Sequence, residues 1–208
     1  MLARILFGLA GALTMAAAAR AGDEVERMLA AAHAQVGVTV AYAPAYVRLA
    51  YPGGDLPPDR GVCSDVIVRA MRAVGIDLQV DVHRDMRAHF AAYPAYWGLT
   101  RPDPNIDHRR VPNLERYFQR LGKALPPGAD AQSFLPGDFV SWRLDGGQPH
   151  IGIVSGRRSA DRLRPLVIHN IGAGTQVEDV LFEWKMTGHF RYFAEPAGTA
   201  APPAPPVS

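Results

Sequence analysis

The apolar residues of this 208-residue chain change period part-way along, and that change limits the fold more than any other feature. In the first part they recur at helical spacing. Val25, Met28, Leu29 and Ala32 form one stripe behind Asp23, a residue suited to capping. Val66, Ile67, Ala70, Met71 and Val74 form a second, starting near Cys63 and stopped by Gly75. Leu78 to His89 is expected to include a short helix, and Asn113 to Leu121 carries a further stripe of Leu114, Tyr117, Phe118 and Leu121. From Asp138 onward the apolar residues fall in short runs rich in valine, isoleucine and aromatics. The runs are Asp138 to Leu144, His150 to Ser155, Pro165 to Asn170 and Gly188 to Phe193, separated by Gly, Pro and Asp turns. Helices first and strands afterwards predict an α+β domain with N-terminal helices packed on an antiparallel sheet. Between the two halves, Tyr93 to Pro112 holds four prolines and reads as a long ordered loop.

Hydrophobic residues make up 48% of the chain and charged residues 20%, enough for one domain with a core. The ends read differently. Residues 1–21 have the form of a secretory signal peptide: Arg4, an uncharged apolar run from Ile5 to Ala19, then Ala19-Arg20-Ala21 as a small-x-small cleavage site. The alternative is a membrane anchor, but the run is short for a span. Cleavage is therefore expected, with no stable membrane insertion afterwards and a periplasmic or secreted location. No cysteine lies in the leader to take a lipid. Residues 195–208, rich in Pro and Ala, are expected to be a disordered tail, leaving 22–194 as the domain. The 22 basic and 20 acidic residues give a net charge of +2. Arg4 and Arg20 leave with the leader, so the mature domain is near neutral and has no basic field for nucleic acid.

Exported chains commonly pair their cysteines, yet this one has a single cysteine, Cys63. At a helix start the macrodipole and unpaired N–H groups favour a thiolate and can stabilise an oxyanion. Equally, Cys63 shares a helical face with Ile67, Ala70 and Val74 and can be simple core. A nucleophilic thiol needs a base. His150 opens the apolar strand His150-Ile151-Gly152-Ile153-Val154, a rigid mount for such a base. His169, in the following strand, can orient His150. Asn170 is the other candidate, although alternation turns it to the opposite face. His33, His83, His89 and His189 read as structural or surface residues.

These segments resemble two related families. Gly61 to Val66, Pro104 to Asn113, Pro136-Gly137-Asp138, Pro149 to Val154 and Ile168 to Gly172 are similar to the exported bacterial family known as domain of unknown function 1287. More distantly, Cys63-Ser64, Pro136-Gly137-Asp138 and the His150-x-Gly-Ile strand resemble the NlpC/P60 branch of papain-like cysteine peptidases, which cut peptide bonds in cell-wall stem peptides. The resemblance implies a papain-like fold and a Cys63–His150–His169 triad. It also implies an oxyanion site near Ser64 and the hydroxyl of Tyr51, the tyrosine beside Gly53-Gly54. Val62 and Asp65 depart from the NlpC/P60 pattern, which has Asp before the cysteine and Gly after Cys-Ser. In the proline-rich loop, Asp107, His108, Arg109 and Arg110, near Tyr96 and Trp97, can line a cleft and hold a substrate carboxylate. The bland alternative there is an Asp107–arginine salt bridge in an ordered loop.

The expectation is thus an exported cysteine peptidase or amidase acting on peptidoglycan as a monomer without cofactor. Two alternatives come from other classes: a zinc hydrolase using Cys63, His150 and His169 as ligands, and a non-catalytic binder of cell-wall fragments with Cys63 as core.

Overall fold

The computed structural model describes residues 20–193 apart from residue 129. The expected leader and tail lie outside the described residues, save that residues 20 and 21 open the first helix.

Four helices precede the main sheet. Helix α1 spans residues 20–33. Helix α2 (Cys63–Arg72) starts after extended Val62, whose N–H donates to the Asp65 carboxylate at 2.7 Å. It closes before Gly75, whose φ of +84° suits a residue without Cβ. Helix α3 (Leu78–His89) is capped by the Asp77 side chain, which accepts from the Gln79 N–H. It fills the whole stretch in which a short helix was expected. Helix α4 (Val111–Arg120) begins two residues earlier than the stripe suggests, because Pro112 fits a first turn that has no use for its missing N–H. The proline-rich segment before it is the expected loop, with one 3₁₀ turn at Asp107–Arg109.

Strands β1 (Ala41–Tyr42) and β2 (Arg60–Gly61) form a small parallel pair. The main sheet is antiparallel, in the order β3-β8-β4-β5-β6-β7. Its strands are β3 (Ala124–Leu125), β4 (Phe139–Arg143), β5 (Pro149–Arg158), β6 (Pro165–Asn170), β7 (Thr175–Glu178) and β8 (Lys185–Phe190). The sequence reading lacked β1, β2, β3 and β7, and it placed β8 about three residues late.

Alternation gives the sheet two apolar faces. Phe139, Ile151, Ile153, Ile168 and Phe190 pack against the helices with Cys63, Ile67, Leu114 and Phe118. Val140, Trp142, Val154 and Val167 face the other way, under Phe134, Leu181 and Trp184. No helix among the described residues is long and apolar enough to cross a membrane.

Candidate active site

Cys63 is the first residue of α2 and only 3% exposed. The backbone N–H groups of Ile151 and Ser64 and the hydroxyl of Tyr42 approach its sulfur. They do not win. Burial pushes the thiol up to about 11, and the negative charge of Asp65 adds to the rise. This corrects the expectation that the helix start lowers it: the macrodipole acts, but desolvation of the thiolate costs more. The sulfur nevertheless borders an open groove of about 360 Å³ whose walls include Tyr42, Tyr46, Trp97, Arg110 and Pro149. Iodoacetamide at pH 7.5 is expected to alkylate folded Cys63 at least about 10-fold more slowly than the unfolded chain. The rate should climb as pH passes 9, and the mass gain at Cys63, followed by mass spectrometry, reads both.

The two expected histidines meet. His150 Nε2 and His169 Nδ1 are 2.8 Å apart, with both rings buried. Gly152 makes this possible. The register Ile153↔Ile168 sets His169 against Gly152, on the same face as His150. A Cβ on Gly152 would sit 2.6 Å from Val167 Cγ1 and 3.2 Å from His169 Cβ, so a larger residue would displace Val167 and crowd His169. Trp142 stacks on His150 at 5.8 Å, and Trp184 meets it edge-on at the same distance. Enclosed this way, His150 is driven down to about 3, by burial first and His169 second. Its ring is a neutral imidazole with an intact lone pair. His169 is lowered too, by burial, with Glu178 opposing.

His150 shares its sheet face with Trp142, while Cys63 lies on the helix side, and among the described residues no hydrogen bond joins the two. What approaches the sulfur is the peptide between His150 and Ile151, at the strand end. Pairing of β5 with β6 stops at Ile153. Below it the Ile151 N–H turns to the sulfur, which therefore sits one peptide from His150. Nδ1, the ring nitrogen nearest the main chain, is the one His169 leaves free.

The family model for a domain of unknown function, DUF1287, matches residues 29–192. The chain belongs to the DUF1287 family. A relative of Escherichia coli (strain K12), "Uncharacterized protein YijF", is 58% identical over 164 residues, covering 79% of this chain and 80% of the relative. The matched region of this DUF1287 chain takes in every residue of the site, from Tyr42 to Glu178.

The other expected residues divide. Tyr51 does not approach Cys63: it is 45% exposed and rests edge-on against His83 at 5.3 Å. Tyr42 takes the place at the sulfur, brought there by the β1–β2 pair. Ser64 donates its hydroxyl to the Arg109 carbonyl at 2.7 Å in a fully buried contact and serves the scaffold. Arg109 is held by both Asp65 oxygens, at 2.9 and 3.0 Å, and donates to the Ala43 carbonyl at 3.0 Å. It borders the groove, but its donors are committed, so it is not the carboxylate clamp expected from the sequence. His108 is buried and lowered to about 4 by desolvation. Asp107 is buried, raised to about 6 by desolvation, and paired with Arg110 at 3.3 Å, the salt bridge of the bland alternative. Arg110 also lies 4.1 Å over the Trp97 ring and lines the groove, which makes it the arginine placed for a substrate. Asn170 faces the helix side and donates to the Gly61 carbonyl at 3.2 Å, so it is not the partner of His150. Among the described residues Cys63, His150 and His169 do not converge as three metal donors.

Proposed function

We propose that this DUF1287 chain is an exported, papain-like cysteine hydrolase that cleaves peptide or amide bonds in peptidoglycan stem peptides, as a monomer without cofactor. One observation carries the reading. His169 engages Nε2 of a neutral His150 and leaves Nδ1 free, and the peptide that follows His150 approaches a thiol at a helix start that faces a groove.

In this mechanism the Cys63 sulfur attacks the carbonyl carbon as its proton passes to His150 Nδ1. A thiol held up near 11 and a ring held down near 3 form no ion pair at rest, so transfer accompanies attack instead of preceding it. The oxyanion accepts from the helix-start N–H groups and the Tyr42 hydroxyl. The amine leaves with the proton from His150, and water, deprotonated by the same ring, cleaves the thioester. Catalytic hydrogen bonds are often long before substrate arrives, and closure of the Cys63–His150 gap belongs to that step. The leader expected from the sequence would deliver the enzyme to its wall substrate.

A non-catalytic binder of wall fragments draws on the burial of the thiol. Digestion of purified peptidoglycan, with mass spectrometry of the soluble products, separates the two. Wild-type protein is expected to release stem-peptide fragments, and Cys63→Ala and His150→Ala to release them at least about 1,000-fold more slowly. Identical products at identical rates from wild type and Cys63→Ala would end the hydrolase reading.

A further inference from the structure

His169 carries a second ring nitrogen that the triad does not use. Nε2 is fully buried, with no hydrogen-bond partner among the described residues, yet Glu178 Oε2 stands 2.9 Å away. The approach is too oblique for a directed hydrogen bond, so the carboxylate acts on the ring as a close negative charge. Glu178 ends β7, opposite Val167, and its side chain is 45% exposed, whereas that of His169 is 0% exposed. The buried histidine pair thus has one charged group at its outer end.

That charge has a consequence along the chain of nitrogens. Two neutral imidazoles joined Nε2 to Nδ1 share one proton, and it belongs to one ring or the other. If His169 Nδ1 carries it, His150 Nε2 is the acceptor. The only proton of a neutral His150 then lies on Nδ1, where it blocks the lone pair needed to take the thiol proton. If His150 Nε2 carries it, His150 Nδ1 is bare and His169 is protonated at Nε2. A carboxylate beside Nε2 favours a proton there and selects the second arrangement.

We infer that Glu178 is a positioning residue that fixes the tautomers of His169 and His150, leaving His150 Nδ1 free as the base. The assignment rests on the hydrolase reading for its purpose, but not for its test. Once His150 becomes an imidazolium during attack, the same carboxylate lies two rings away and stabilises it.

The tautomers are visible in two-bond proton–nitrogen correlation spectra of the histidine rings, recorded at pH 7.5 on the whole domain. Wild type is expected to show His150 and His169 both protonated at Nε2. Glu178→Ala and Glu178→Gln both remove the charge, and each should shift at least half of His150 to the Nδ1–H form. The side chain is half-exposed on an edge strand, so both variants should retain the wild-type melting temperature. A wild type with His150 protonated at Nδ1, or Glu178→Ala spectra unchanged from wild type, would overturn the inference. Peptidoglycan digestion adds an independent arm: Glu178→Ala should lower kcat about 10-fold or more with KM unchanged. Tautomers that shift as expected in a protein whose digestion ignores Cys63→Ala would sink the hydrolase reading and leave the Glu178 assignment standing.

Discussion

Between pH 6 and 4 the domain is expected to lose about 3 kcal/mol of unfolding free energy, about 1.4 kcal/mol per pH unit. His108 and His150 drive the loss. Both are buried as neutral rings, lowered to about 4 and about 3, whereas in the unfolded chain they titrate near 6.5. As pH falls through 6.5 the unfolded state takes protons that the folded state refuses. Stability is therefore full above 6.5 and drains with acidification. Asp107 works in the opposite sense. Its folded carboxyl titrates near 6 against an ordinary 3.8, so between those values the folded state binds the extra proton and gains. Of the groups with assigned values, two rings against one carboxyl leave a net of about one proton, and His169, lowered by burial as well, adds to the loss. Denaturant unfolding at half-unit pH steps measures the slope, and two variants test its parts. His150→Gln removes one ring and should flatten the curve by about 1.4 kcal/mol per unit, whereas Asp107→Asn removes the offset and should steepen it by the same amount. Curves parallel to wild type in both variants would show that the buried groups do not titrate as assigned.

The same residues show what a sequence can and cannot disclose. Helices α1, α2 and α4 were legible because a buried stripe repeats every three to four residues whatever its distant partners are. The His150–His169 pair was legible because alternation on neighbouring antiparallel strands puts like-facing residues together, and Asn170 was rightly set on the other face by the same rule. Strand β7 left no such trace. Thr175-Gln176-Val177-Glu178 lies at a sheet edge with one aliphatic side chain among its four, and with β7 went Glu178, the last charge on the histidine pair.

Tyr42 was missed for a different reason. It reaches the sulfur through a two-residue parallel pairing with β2, too short to carry a period, so the double glycine beside Tyr51 was the stronger local signal. The direction of the Cys63 shift failed on energetics. A helix start is visible in sequence, but the depth to which Val62, Ile151 and the groove wall bury the sulfur is a property of the packed domain. Two of the sequence departures from the NlpC/P60 pattern, Val62 and Asp65, fall at this helix start; the third is the longer gap between Cys63 and Pro136 that holds the 93–112 loop. Asp65, where that pattern has glycine, takes the Val62 N–H and holds Arg109.

Asp65→Ala is expected to cost about 3–5 kcal/mol, the largest loss from any single substitution around the groove. The carboxylate joins three segments distant in sequence. It takes the Val62 N–H at 2.7 Å, both arms of Arg109, and through Arg109 the Ala43 carbonyl. The two side chains are 4% and 2% exposed. Removing the acid strands a guanidinium that water cannot reach, and the loss of the cap adds about 1 kcal/mol. Arg109→Met should cost less than Asp65→Ala, since Asp65 retains the Val62 N–H, and Asp65→Leu with Arg109→Met should recover part of the single-variant loss because neither charge remains buried. Chemical denaturation of the four proteins closes the cycle. A double variant as unstable as the sum of its singles would mean that the pair acts independently, and the groove would then owe its shape to the packing of α2 and the 107–109 turn instead. A positive coupling, with peptidoglycan digestion falling in step with stability, would assign Asp65 to the frame that carries the Tyr42 segment and Arg110 to the two walls of the groove.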